Sequence, residues 1–250
     1  MENINPVIGA RHVAKRFGHV QALRDASISV PAGKVVALVG DNGAGKSTLI
    51  KTLLGINRPD SGEILIGGEV VQLSSVRDAQ ARGVDAVHQE LALAPDLSVV
   101  DNMFLGHERV VGPGILLRKR MTEQTDLALR ELGIQLPSLS VAVRELSGGQ
   151  RQAVAVAKAV MWSRTAVLMD EPTAALGARQ SEIVSELMRT VAAKGLGVLV
   201  ISHDLPRILK AADTVTVLWR GETVLEAAAS DLTVPDLVAT MVGYRAEEAS

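Results

Sequence analysis

The stretch Gly40-Asp41-Asn42-Gly43-Ala44-Gly45-Lys46-Ser47 restricts what this chain can be more than any other part of it. It fits the pattern G-x-x-x-x-G-K-[ST], with the apolar run Val35–Val39 before it and a helical pattern after it. In such a loop the glycines let backbone N–H groups wrap phosphate oxygens, and the start of the following helix adds partial positive charge. Lys46 reaches the terminal phosphates and Ser47 offers its hydroxyl to magnesium. Residues 40–48, closing on Thr48, are therefore expected to hold the phosphates of a nucleotide.

The rest of the composition narrows the setting. In 250 residues, 47% are hydrophobic and 22% charged, the profile of a chain that folds around its own core rather than a disordered one. Lys plus Arg number 26 against 28 Asp plus Glu, so no strong net field draws in nucleic acid or an anionic surface. Without cysteine there is no disulfide, thiolate metal site or cysteine nucleophile. The N-terminus MENINPVIGARHVAKRFG lacks an apolar segment behind a basic start and does not read as a signal peptide. Runs such as Val35–Val39 and Ala153–Trp162 fall short of the ~20 apolar residues that a spanning helix needs. Membrane association is thus expected to go through a partner.

Short β-branched runs (Ala26–Val30, Val35–Val39, Glu63–Ile66, Val70–Leu73), separated by Pro31-Ala32-Gly33 and Gly67-Gly68, predict a strand-rich opening. Farther on, Ala166–Asp170 and Val198–His203 alternate with a helical pattern over Gln180–Ala193, the mark of a parallel sheet with helical crossovers. Ser98–Lys158 between them predicts a mostly helical insertion, with Ser98 and Asp101 spaced as a capping box. The fold class is α/β.

Two further segments carry chemistry. Leu146-Ser147-Gly148-Gly149-Gln150 precedes an Ala- and Val-rich helical run, with Ser147 placed to cap the helix and Gln150 at the capping-box position. This is either a well-capped helix with a glycine hinge or a second phosphate-binding surface free of side-chain obstruction. Ala166–Asp170 delivers Asp170 and Glu171 at the C-terminal end of an apolar strand, where α/β sheets place ligands. Because successive strand residues point oppositely, the two carboxylates should differ in role. Asp170 is placed to hold magnesium, directly or through water, and Glu171 to act on an attacking water as base or orienter.

These elements, in this order and spacing, resemble the nucleotide-binding domain of ABC transporters over about residues 6–243. The resemblance implies a P-loop NTPase core with an N-terminal antiparallel β subdomain and a helical subdomain at roughly 90–160. It further implies ATP and Mg2+ as cofactors, and a head-to-tail dimer in which Ser147, Gly148, Gly149 and Gln150 of one copy cover the ATP of the other. Residue by residue, Phe17 resembles the aromatic that stacks on adenine, with Val20 nearby. Gln89 resembles the glutamine that contacts magnesium and the reaction water, and His203 the histidine that contacts the γ-phosphate. Lys46, Gln89, Glu171 and His203 then form the catalytic set, and Ser47, Gln89 and Asp170 the metal ligands.

Two positions depart from the family's pattern: Gly177 stands where an aspartate is usual, and Phe17 where tyrosine is commoner. Hydrolysis is expected to survive, with communication between ATP sites altered. The stretch from Val87 to Gly106 is similar to ATPases of ribose, xylose and fructose importers. That implies a homodimer on transmembrane permease subunits, peripheral on the inner face of the cell membrane, served indirectly by an external sugar-binding protein. Nucleic acid is not an expected partner. A soluble ABC ATPase acting on ribosomes or DNA, or a nucleotide-gated interaction module, are the alternatives.

Overall fold

The computed structural model describes residues 6–88, 91–112, 114–174 and 176–243. Its centre is five parallel strands, in the order β11 (Thr214–Trp219), β3 (Val35–Val39), β10 (Gly197–Ile201), β9 (Ala166–Asp170) and β6 (Val84–Val87). β1 (Ile8–Phe17), β2 (Val20–Val30), β4 (Ser61–Ile66) and β5 (Glu69–Val71) form an antiparallel wing. β12 (Glu222–Ala228) joins the two, antiparallel to β11 and bridged to β2 through Glu222 and Asp25.

Apolar side chains on both faces of each central strand are what a sheet covered on two sides requires. Val35, Ala37 and Val39 of β3 enter one core, together with Val167 and Met169 of β9 and Val198 and Val200 of β10. Their neighbours Val36, Leu38, Ala166, Leu168, Leu199 and Ile201 enter the other. Helix α1 (Lys46–Leu53) covers this second face with Leu49, Ile50 and Leu53, and α2 (Val76–Ala81) adds Ala79. The first face is covered by α3 (Val99–Phe104), α4 (Arg118–Glu131), α5 (Gly148–Trp162), α6 (Ala178–Ala193), α7 (Leu205–Ala211) and α8 (Val234–Met241). Leu168 is wholly buried, and its truncation to alanine would cost about 2–5 kcal/mol.

The local signals act where the sequence places them. Ser98 Oγ accepts the Asp101 N–H at 3.1 Å and starts α3. Gly67 and Gly68 form the two-residue turn from β4 to β5, both with positive φ, as that turn's twist demands. Two features go beyond what the sequence pattern indicates. The segment expected to be mostly helical also contains a β-hairpin, β7 (Val110–Val111) with β8 (Ile115–Leu116), and an irregular stretch over 132–142. Strand β1 lies outside the β-branched runs, because Arg11, His12, Lys15 and Arg16 interrupt its pattern and register shifts break its alternation. Among the described residues no helix is long and apolar enough to cross a membrane.

Candidate functional site

The parallel strands end at one edge, so the turns that follow β3, β9 and β10 gather there. Gly40 leaves β3 where a Cβ would meet the Leu218 carbonyl oxygen at 2.2 Å, closer than real contacts allow. Gly45 (φ +108°) has the Ala22 carbonyl oxygen 2.6 Å from where its Cβ would stand. Glycine at these two positions lets the loop nest between β2 and β11. Gly45 caps α1 with no side chain, so the helix's first N–H groups have no side-chain acceptor and face outward as anion donors.

Lys46 Nζ donates to the carbonyl oxygens of Gly40 at 2.7 Å and Asp41 at 3.0 Å, so its ammonium lies across the mouth of the loop. Burial lowers its pKa from the ordinary lysine value, while the carboxylates of Glu171, Asp41 and Asp170 pull it back up. Asp41 also turns its side chain onto the Asn42 N–H at 2.7 Å. Ser47 and Thr48 lie in the first turn of α1, and among the described residues no protein hydrogen bond engages Ser47 Oγ. Ala44 is buried beneath the loop, and its carbonyl oxygen accepts the Gly221 N–H at 2.9 Å.

Alternation along β9 puts Asp170 on the face of Ala166 and Leu168, the side covered by α1 and its phosphate loop. Burial raises its pKa above the usual carboxylate value and Glu171 adds to the rise, against His88, Lys51 and Lys46. The carboxylates of Asp170 and Glu171 and the Ser47 hydroxyl, which has no hydrogen-bond partner among the described residues, are oxygen donors of the kind a hard divalent cation favours. Glu171 adopts φ 51°, a left-handed conformation that costs a non-glycine residue about 1–3 kcal/mol. Its N–H is held by the Ile201 carbonyl oxygen at 3.0 Å, and its Oε2 lies 3.2 Å from His203 Nδ1. The two residues reach each other because β9 and β10 pair in parallel, with Asp170 beside Ile201. Gln89 lies outside the described residues.

Phe17 is 47% exposed and Val20 is 66% exposed, opposite each other at the tip of the β1–β2 hairpin. Phe17 is therefore no core residue; its ring is open, with Lys15 Nζ 5.5 Å from the ring centre. Ser147, Gly148, Gly149 and Gln150 form the N-terminus of α5, closed by a full capping box. Gln150 N–H donates to Ser147 Oγ at 3.3 Å, and Ser147 N–H to Gln150 Oε1 at 2.9 Å. Among the described residues, no hydrogen bond joins this turn to residues 40–48. A hinge and an open phosphate surface were the two roles expected of Gly148 and Gly149; within the chain, a Cβ on Gly149 would come 2.9 Å from Gln180 Cγ. Contacts of this kind have no signature at sequence level, because they join residues 31 positions apart.

The family model for ABC transporters matches residues 23–174, a span that includes the phosphate loop, the Ser147 turn and both carboxylates. The chain belongs to the ABC transporter family. With the family comes the reaction class, ATP hydrolysis coupled to transport. This ABC chain is 42% identical to the xylose/arabinose import ATP-binding protein of Sulfolobus acidocaldarius, over 96% of each chain. It is 42% identical to the fructose import ATP-binding protein of Rhizobium meliloti, over 96% of this chain and 95% of that one. The ribose import ATP-binding protein of Rubrobacter xylanophilus is 41% identical over 95% of this chain, which spans 46% of that longer protein. In fold, the ABC chain is similar to a nucleotide-free ATP-binding cassette of an ABC transporter, with TM-score 0.80 at 24% identity, over 95% of this chain and 98% of that one.

Proposed function

We propose that this protein is the ATP-hydrolysing subunit of an ABC importer for a monosaccharide such as xylose, fructose or ribose. The observation that carries the reading is the meeting of Lys46, Asp170, Glu171 and His203 where β3, β9 and β10 end. Nearly full-length similarity to relatives named for sugar import supports the transport side. The functional unit is a single ATPase domain over residues 6–243, with a helical subdomain at roughly 90–160.

In this reading, ATP lies along residues 40–48 with its adenine against Phe17. Lys46 and the amide donors at the start of α1 neutralise the phosphate charge. Ser47, Asp170 and Gln89 would hold Mg2+, which supplies charge neutralisation between the phosphates. Water attacks the γ-phosphorus in line, Glu171 orienting it and accepting its proton, as the bond to the ADP oxygen breaks and phosphate leaves. His203 holds Glu171 on one side and meets the γ-phosphate on the other.

A second copy supplies Ser147, Gly148, Gly149 and Gln150 to close the site. Closure is passed to transmembrane permease subunits, which places the protein on the cytoplasmic face of the membrane. An external sugar-binding protein is met only through the permease, and nucleic acid has no part. Uptake of labelled xylose, arabinose, fructose and ribose by cells lacking this protein tests the reading. Loss of one sugar's uptake, restored by the unaltered chain but not by Glu171→Gln, supports it; unchanged uptake of all four contradicts it.

A further inference from the structure

His203 carries its ring just past the end of β10 with little around it. The side chain is 73% exposed, and among the described residues its one polar contact is Glu171 Oε2 at 3.2 Å. Packing does not fix so open an imidazole, so its place depends on the backbone that bears it and on what holds that backbone. The backbone is the turn from β10 into α7. Ser202 is buried, and its Oγ accepts the Asp204 N–H at 3.1 Å. The His203 carbonyl oxygen accepts the Leu205 N–H at 3.1 Å.

Asp204 is the N-cap of α7, and its Oδ1 accepts the Arg207 N–H at 3.2 Å. The helix dipole disfavours a cation in that first turn, yet Arg207 stands there with a carboxylate on either side. Its Nε donates to Asp204 Oδ2 at 2.9 Å, and its Nη1 to Glu182 Oε2 on α6 at 3.1 Å. The rigid fork of a guanidinium lets one side chain serve both acceptors. A second tie joins the helices at the far end of α7, from Arg189 Nε to the Ala211 carbonyl oxygen at 3.5 Å. Helix α6 is itself seated in the core by Leu187, Met188 and Val191. Through Arg207, the residue that follows His203 is fastened to a fixed helix.

We propose that Arg207 is a positioning residue for ATP hydrolysis: paired with Asp204 and Glu182, it fastens the turn that carries His203 to α6. Arg207 touches no reacting atom; it acts through the placing of His203. The inference rests on the ATPase reading above and on the part that reading gives His203. Glu182 is 65% exposed, so its pair with Arg207 contributes little to stability. Arg207 is 20% exposed and its truncation also removes packing, which makes Glu182→Ala the cleaner variant. Turnover is more sensitive than stability, since a small displacement of a positioned group can cost up to about a hundredfold in rate.

The test is steady-state phosphate release by the purified full chain, with Tm and the KM for ATP measured alongside. The variants are Glu182→Ala, Glu182→Gln, Arg207→Ala, Arg189→Ala, and His203→Ala with and without Arg207→Ala. Glu182→Ala should lower kcat about threefold and Arg207→Ala about tenfold, with the KM for ATP unchanged. Glu182→Gln, which keeps an acceptor oxygen for Arg207, should hold most of the activity. Arg189→Ala, which cuts the tie far from His203, should leave kcat within about twofold of the unaltered chain. Once His203→Ala has removed the ring, Arg207→Ala should cost no more than about twofold further. The inference is overturned by full kcat in both Glu182→Ala and Arg207→Ala, by an equal loss in Arg189→Ala, or by an Arg207→Ala effect undiminished without the ring. An unaltered chain that releases no phosphate, or His203→Ala at full kcat, overturns the underlying ATPase reading, and the inference falls with it.

Discussion

Glu171 Oε2 and His203 Nδ1 lie 3.2 Å apart, one at the end of β9 and the other just past the end of β10. In the proposed reaction, this contact would tie the residue that orients water to the one that meets the γ-phosphate, so the pair should behave as a unit. Glu171→Gln and His203→Ala are each expected to slow phosphate release by about a hundredfold or more. The double variant should be little worse than the weaker single one, since residues acting together are non-additive. Multiplying losses in a phosphate-release assay would show that the two act separately.

How much of this was legible in the sequence depends on the range of each signal. The phosphate loop, the capping box at Ser147, and strand β9 with its carboxylates are set by spacings of a few residues, and the structure has them where the sequence puts them; at Ser98 the serine caps α3, but Asp101 accepts from the Ser98 hydroxyl rather than from its N–H. The meeting of Glu171 with His203 depends on the parallel pairing of β9 and β10; the strand–helix alternation indicates a parallel sheet, but not which strands are neighbours. Strand β1 was hidden by its basic residues and bulges, and the β7–β8 hairpin by a short, exposed pair of apolar runs that borrows nothing from the core. The contact of Gln180 with Gly149 had no sequence signal.

Asp170 pays a penalty for being ionised, because burial and Glu171 both raise its pKa. A raised carboxylate pKa in the folded state means that the penalty is absent below the unfolded-state pKa and grows as pH rises through the folded one. Asp170→Asn should therefore raise the Tm of the nucleotide-free protein at neutral pH. The gain is on the order of 2 °C, since a half-exposed group is partly screened, and it should vanish below about pH 4. The same variant should lose magnesium-dependent hydrolysis. A neutral-pH Tm below that of the unaltered chain would contradict the argument.

The phosphate-loop glycines should differ in what they cost. A Cβ on Gly40 strikes the Leu218 carbonyl oxygen, whereas one on Gly43 meets nothing within 4 Å and suffers only its φ of +81°. Gly43→Ala is expected to cost about 1–3 kcal/mol in denaturant unfolding and Gly40→Ala clearly more. Equal losses would mean that β11 moves aside freely.

Phe17 is exposed, so Phe17→Ala should leave Tm within a degree or so while weakening ATP binding about tenfold, the share of one stacked aromatic. A fluorescent-nucleotide titration reads it. Unchanged affinity would remove Phe17 from the adenine site.

The central claim is that ATP closes two copies of this chain over sites completed by Ser147, Gly148, Gly149 and Gln150 of the opposite copy. The solution mass of purified Glu171→Gln protein, measured with ATP and magnesium and again with ADP, tests it most directly. The account predicts a mass that doubles with ATP and stays monomeric with ADP. A protein that binds ATP yet remains monomeric would contradict it.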